Sequence, residues 1–149
     1  MTLRYVSFAC LLPLVIGGAI YILFRSDTLV MFHWFQLVGL QEPIDGLRGW
    51  SEPLQHWVPE WVRYSLPDGA WVFSCTAFFV RLWADSQNPI RFFWMGIGPA
   101  MGIGGELAQI PGWMPGRFDP IDLLLCILAT AAAIGLAHGT APATHKGST

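Results

Sequence analysis

Charged side chains are scarce in this chain of 149 residues. Asp, Glu, Lys and Arg make up 12% of it, about half their usual share in a soluble domain, while 54% of the residues are hydrophobic. A soluble domain of this size could not cover its surface with so few charges. The composition therefore predicts an all-α integral membrane protein, with residues 1–149 folded as a single domain.

An excess of positive charge and paired cysteines are missing as well. The net charge is −2, so no basic patch for nucleic acid is predicted. Cys10, Cys75 and Cys126 lie in separate apolar runs, with no CxxC or Cys/His spacing that would indicate zinc or a thioredoxin-like site. We expect three free thiols that pack as small hydrophobic groups, and no metal or other cofactor.

Four apolar runs are long enough to cross a bilayer, since about 20 residues at ~1.5 Å each span a ~30 Å hydrocarbon core. They cover residues 5–24, 66–84, 90–110 and 121–137. A cleavable signal peptide is the alternative for the first run, but this run exceeds the usual h-region of about 7–15 residues and lacks an A-x-A site. We expect four transmembrane helices, followed by a frayed tail at 138–149.

The first loop is predicted to begin at the membrane surface. Residues 28–40 are apolar but too short to span a bilayer, and Asp27 can cap an interfacial or re-entrant helix there. Residues 41–51 are expected to form a polar connection with turns, because Pro43, Gly46 and neighbouring polar residues interrupt the pattern.

A second interfacial segment is predicted at residues 53–64. Its apolar residues recur at helical spacing, Ser51 can act as its N-cap, and Pro59 should kink or split it. Ser65 is the predicted N-cap of the following span. The aromatic residues in and beside segment 53–64 suit the headgroup level of a membrane: Trp50, Trp57, Trp61 and Tyr64.

The orientation does not follow from the Lys and Arg residues, because four of them lie on each side of the predicted spans. With an acid-rich first loop placed outside, both termini are expected on the cytoplasmic side of a bacterial inner membrane.

Within the third span, Gly98 and Gly102 are spaced as a close-packing face for another helix, and Pro99 suggests a kink.

Polar residues gather where the third span ends and the fourth begins. They are expected to converge at one membrane face: Glu106, Gln109, Arg117, Asp119 and Asp122. A buried Glu106–Arg117 ion pair is predicted, because an unpaired charge within a span is costly. A purely structural pair and a ligand- or proton-handling role remain alternatives for Glu106. Capping of the fourth span alone would also explain Asp119 and Asp122.

The residues from Gly105 to Leu123 resemble the signature of the VanZ-like family. That signature has Glu-x-x-Gln at the end of one span and an Arg-x-x-Asp-x-x-Asp-type start to the next. The corresponding residues here are Glu106-x-x-Gln109 and Arg117-Phe118-Asp119-Pro120-Ile121-Asp122, with one residue instead of two between Arg117 and Asp119. Pro67-Asp68 resembles the family's Pro-Asp at the preceding span, which adds Asp68 to the candidate site. The family's His one turn later and its Asn in the last span are missing. The resemblance implies a four-span protein associated with resistance to glycopeptides such as teicoplanin.

Three functions are compatible with these residues. The first is a VanZ-like protein that binds or senses a cell-envelope lipid or glycopeptide at the outer face, with membrane lipids as partners. The second is a structural or accessory subunit that packs through its Gly- and Ala-rich spans against other integral membrane proteins. The third is an enzyme acting on a lipid-linked substrate, for which no catalytic residues, such as a nucleophile–base pair, can be named.

Overall fold

The computed structural model describes residues 3–26 and 29–139, and all regular elements in these ranges are helices. Their bounds are α1 Leu3–Phe24, α2 Val30–Leu37, α3 Gln41–Ser51, α4 Glu60–Tyr64, α5 Leu66–Trp83, α6 Arg91–Gln109 and α7 Pro120–Gly139. The expected all-helical fold is confirmed. The predicted cap Asp27 and most of the predicted tail lie outside the described residues.

Two of the described helices, α1 and α7, are long and apolar enough to cross a membrane. Only 17% of the most apolar window of each is buried within the protein, whereas the core helix of a soluble protein would be mostly buried. Large apolar side chains are exposed on both, including Phe8 and Val15 of α1 and Leu128 of α7. These exposed apolar surfaces support a membrane location.

Helix α1 is widened near its start. Residues Val6–Leu11 form a π-helical stretch, and Pro13 lies two residues after its end. Proline lacks an N–H donor and its ring crowds the carbonyl four residues back, here that of Ala9, so the preceding turn opens. The same end of α1 is attached to the bundle, because the Tyr5 hydroxyl donates a hydrogen bond to the Ala77 carbonyl at 3.0 Å.

Helix α5 is the centre of the bundle and packs against α1, α6 and α7. Its contact with α6 depends on two glycines. A Cβ atom on Gly98 would lie 2.5 Å from Thr76 Oγ1, and one on Gly102 would overlap the side chain of Val72. The close-packing face predicted for these glycines is confirmed, and its partner is α5.

An aromatic stack extends the α5–α6 contact. The Trp94 ring of α6 stacks on Phe79 at 5.6 Å and on Trp83 at 6.3 Å between ring centroids. At the end of α5, the Arg81 guanidinium lies 3.8 Å from the Asp85 carboxylate, at the i, i+4 spacing that places two side chains on one helix face. The end of α5 is therefore ordered by local and interhelical contacts together.

The prediction that residues 41–51 form a turn-rich connection is wrong, because they form helix α3. Pro43 is tolerated since it lies in the first turn, where N–H groups have no intrahelical acceptor. Gly46 and Gly49 lower the stability of a helix, and tertiary contacts of α3 offset that cost. The Arg48 guanidinium donates hydrogen bonds to the carbonyls of Ile22 at 2.7 Å and Arg25 at 2.9 Å, so α3 caps the carboxyl end of α1.

Ser51 and Ser65 occupy the N-cap positions predicted for them, but neither side chain forms a cap hydrogen bond. The Ser51 hydroxyl is buried and donates toward the carbonyls of Leu23 and Arg48, and the Ser65 side chain forms no cap hydrogen bond. Pro59 splits the predicted second interfacial helix: a 3-10 turn, Glu52–Leu54, precedes it and only α4 follows.

The Gly98 contact gives the first prediction. Gly98→Ala should lower the free energy of unfolding by about 1–3 kcal/mol, because the new methyl group would collide with the backbone and hydroxyl of Thr76. Gly104→Ala is the matched control on the same helix, where nothing lies within 4 Å of the added Cβ. It should be neutral or slightly stabilising. Thermal unfolding in detergent measures both, and equal effects would contradict the close approach.

Candidate ligand-binding cleft

Four helix ends meet at one end of the bundle. They are the carboxyl ends of α1 and α6 and the amino ends of α5 and α7. An open cleft of about 300 Å³ lies at this end, and its wall comes from α5, α6, the turn after α6 and Cys126 of α7. Asp68, Glu106 and Gln109 supply its polar wall, and Trp71, Met101 and Cys126 are among its apolar wall. The cleft thus has a polar side at the helix ends and an apolar side toward the middle of the bundle.

Asp119 caps helix α7 as the sequence predicts. Its Oδ1 accepts a hydrogen bond from the N–H of Ile121 at 2.8 Å, and Pro120 is the first helical residue. The N–H of Asp119 donates to Glu106 Oε2 at 3.3 Å. In a capping box this N–H would bond an acid of the same helix, here Asp122. Glu106 of α6 takes that acceptor role and joins the two helices.

Two acceptor atoms at this end are left without partners in the described part of the chain. Gln109 donates its Nε2 hydrogen to Glu106 Oε1 at 3.4 Å, while Gln109 Oε1 is buried and accepts no hydrogen bond. The same holds for Asp122 Oδ1. Gly116 lies against the Gln109 amide, with φ at +131°, so the turn before α7 closes over it. Buried unpaired acceptors are costly and favour a bound donor.

The predicted buried pair between Glu106 and Arg117 is not found. Arg117 is exposed, and the ion pairs within residues 3–26 and 29–139 are Arg25–Asp68 and Arg81–Asp85. Both oxygens of Glu106 already accept hydrogen bonds from Asp119 and Gln109. Because Arg117 stays in contact with solvent, its charge does not require a carboxylate partner.

Arg25 is the cation that reaches the acidic end. Its Nη2 lies 3.8 Å from Asp68 Oδ2, and its guanidinium also lies over the rings of Tyr21 and Tyr64, at 5.0 and 5.2 Å from their centroids. Arg25 was not among the residues predicted for the site. Its position in the sequence nevertheless indicates this contact: Arg25 follows the first apolar run and Asp68 lies at the start of the second, so both are at the same end of the bundle.

Carboxylates outnumber cations at the cleft. Asp68, Glu106 and Asp122 come from three different helices and lie close enough for their charges to repel one another. The amino ends of α5 and α7 favour Asp68 and Asp122 through the helix dipole. Within the described ranges, no group of three or more His, Cys, Asp or Glu side chains has an arrangement that could hold a metal ion. The surplus of acceptors therefore suits a ligand that carries hydrogen-bond donors or a positive charge.

Comparison with known protein families, with curated proteins and with solved structures finds no match to this chain. Of the residues predicted for the site, the structure brings together Asp68, Glu106, Gln109, Asp119 and Asp122. Arg117 is the predicted site residue that has no contact with this group.

Two double-mutant cycles test this set of contacts. The cycle of Glu106→Ala with Arg117→Ala should give an interaction free energy below about 0.5 kcal/mol, because the side chains do not meet. The cycle of Arg25→Ala with Asp68→Ala should give about 0.5–1 kcal/mol, as expected for a partly exposed pair. Unfolding in nanodiscs measures all variants.

The single variants are informative as well. Glu106→Ala should cost about 1–3 kcal/mol, since it leaves the Asp119 N–H and the Gln109 amide without an acceptor. Arg117→Ala should change stability by less than about 0.5 kcal/mol, the range typical of surface positions. A Glu106–Arg117 interaction above about 1 kcal/mol would contradict the structure.

Proposed function

We propose that this chain is a four-span protein of VanZ-like type in the bacterial cytoplasmic membrane, and that it binds a cell-envelope lipid or glycopeptide at the outer face. The observation that carries the proposal is the cleft, which has the buried acceptor Gln109 Oε1 in its wall and Asp122 Oδ1 near it, both without donors in the described part of the chain. A ligand with ammonium or hydroxyl groups would supply them. A purely anionic ligand is disfavoured, because Asp68, Glu106 and Asp122 would repel it.

The dimensions and surfaces of the long helices support four spans. Helices α5 and α6 have 18 and 19 residues, which at 1.5 Å per residue reach about 27–29 Å, close to the thickness of a hydrocarbon core. Both expose large apolar side chains, such as Trp71 on α5 and Phe93 and Met101 on α6. Water would disfavour such surfaces on every long helix of a bundle, whereas lipid accepts them.

The donor requirement gives a direct test of ligand binding. Purified protein equilibrated with equal amounts of phosphatidylethanolamine, phosphatidylcholine and phosphatidylglycerol should retain the ethanolamine lipid preferentially in native mass spectrometry. Its ammonium group carries N–H donors that the choline group lacks, and phosphatidylglycerol has hydroxyl donors but a net negative charge. Glu106→Gln and Asp122→Asn should reduce that preference by about tenfold, the effect of losing one charged hydrogen bond.

Asp85→Asn is the matched control, because Asp85 is an acid at the opposite end of the bundle whose side chain is 92% exposed. It should leave the lipid preference unchanged. Addition of teicoplanin in a separate arm distinguishes a soluble glycopeptide from a lipid as the source of the donor groups. Equal retention of the three lipids, with no binding of teicoplanin, would refute the proposed function.

The proposed orientation has its own test. Both termini are proposed to be cytoplasmic, so the α1–α5 connection and the turn before α7 lie outside. With the native cysteines replaced, Glu52→Cys and Gly112→Cys should react with an impermeant maleimide in intact cells, and Gln87→Cys should react only after lysis. All three positions are exposed. The reverse labelling pattern would invert the orientation and place the cleft in the cytoplasm.

A role as an accessory subunit is the second candidate. Gly98 and Gly102 are used within the chain, but Gly96 and Gly104 of α6 have nothing within 4 Å of an added Cβ. Exposed glycines on a membrane helix allow close approach of another helix. A protein partner that co-purifies in constant stoichiometry and is lost in Gly104→Leu would favour this function over ligand binding.

A further inference from the structure

A second cavity lies beside the cleft and differs from it in chemistry. It has a volume of about 350 Å³, and its wall is almost entirely apolar. Cys10 and Leu14 of α1, Cys75 and Phe78 of α5, and Met101 of α6 line it. We call this cavity the apolar groove. It is more than twice the size of an apolar cavity of about 150 Å³ that admits benzene.

The groove follows from the packing of the bundle. Helices α1 and α6 both pack against α5, and a gap remains between α1 and α6 on the surface of α5. The π-helical stretch of α1 includes Cys10 and Leu11, which line the groove. Leu11 and Met101 are exposed at its rim. The groove therefore opens on the apolar surface of the bundle.

The groove and the cleft are continuous. Trp71, Val72 and Met101 line both of them. A molecule whose polar part lies beside Glu106 and Asp68 thus has an apolar path along α5 next to it. A soluble glycopeptide would leave that path unused, whereas a lipid would place its headgroup in the cleft and a hydrocarbon chain in the groove.

One polar group in the groove supports a lipid in particular. Ser74 lines the groove, is 5% exposed, and its hydroxyl has no hydrogen-bond partner among the described residues. Ser74 follows Asp68 by six residues, or about 9 Å along the helix. That separation is comparable to the span from the amine to the ester group of a glycerophospholipid. An ester carbonyl entering the groove could accept the Ser74 hydroxyl hydrogen after rotation about χ1.

We infer that the cleft and the apolar groove form one bipartite site for a single glycerolipid, with a donor-bearing headgroup at Glu106 and Asp68 and one acyl chain between α1 and α6. The inference rests on the proposed function and deepens it by naming the ligand class. Trp71 and Met101 of the apolar wall of the cleft also line the groove, as a single site for one ligand requires. Phosphatidylethanolamine is the probe that matches both halves.

The first test fills the groove with a larger side chain and leaves every residue of the cleft unchanged. Leu14→Trp adds bulk inside the groove, and Val15→Trp is the matched control, since Val15 is the next residue of α1 and is 65% exposed. Leu14→Trp should lower retention of phosphatidylethanolamine about tenfold, as expected when an occupied space is overpacked. Val15→Trp should leave retention unchanged. Thermal unfolding of both variants shows whether the bundle is intact.

A second measurement needs no substitution. Cys75 is the half-buried thiol of the groove, whereas Cys10 and Cys126 are buried. In nanodiscs of phosphatidylcholine, added phosphatidylethanolamine should slow alkylation of Cys75 by a membrane-permeant maleimide about threefold or more, because the bound chain would occlude most of the thiol. Glycerophosphoethanolamine, which has the headgroup without acyl chains, should not slow it. Mass spectrometry of the Cys75 peptide gives the rate, even where Leu14→Trp fails to fold.

The outcomes separate the two proposals. If phosphatidylethanolamine is retained in a Glu106-dependent manner but Leu14→Trp folds and binds it normally, and Cys75 stays reactive, the bipartite site is overturned while the headgroup site stands. If Glu106→Gln does not change lipid retention at all, the proposed function falls and the inference falls with it. The bipartite site is supported if Leu14→Trp loses retention of phosphatidylethanolamine, Val15→Trp keeps it, and phosphatidylethanolamine slows alkylation of Cys75.

Discussion

The close approach of α5 and α6 is the contact on which the rest of the bundle depends. Gly98 and Gly102 present no side chain, so the backbone of α6 comes within van der Waals distance of Thr76 and Val72. In lipid, helices gain no hydrophobic free energy from association, and such close packing is the main source of cohesion. With α5 held centrally, α1 and α7 pack on its other faces, and the positions of the cleft and the groove follow.

Polar groups at the helix ends then find partners across helices. Arg48 of α3 caps the carboxyl end of α1, and Glu106 of α6 accepts the N–H at the start of α7. Each contact satisfies backbone groups that a helix end leaves open. Among the acceptors at this end, Gln109 Oε1 and Asp122 Oδ1 remain without a donor within the described residues. The chemistry of the proposed ligand follows from that imbalance.

In the proposed site, the cleft and the groove would contribute differently to the binding of a lipid. In a bilayer, an acyl chain is already in an apolar solvent, so the groove offers it packing and one hydroxyl group but little hydrophobic gain. The cleft offers charge and hydrogen bonds to a headgroup that is otherwise hydrated. Selectivity among lipids is therefore expected to come mainly from the headgroup, with the groove determining which class of molecule can reach the cleft.

Local sequence determined the long helices, the Asp119 cap, the Arg81–Asp85 pair and the Gly98–Gly102 packing face, because each depends on residues within one or two turns or on side-chain size at fixed spacing. Helix α3 was missed, since its glycines are compensated by Arg48 bonding to α1, and the partner of Glu106 was mistaken, since nearness in sequence favoured Arg117. Arg25 meets Asp68 although 43 positions separate them in number. Only the tertiary structure decides such pairs, because it determines which helix ends come together and which charges stay in water.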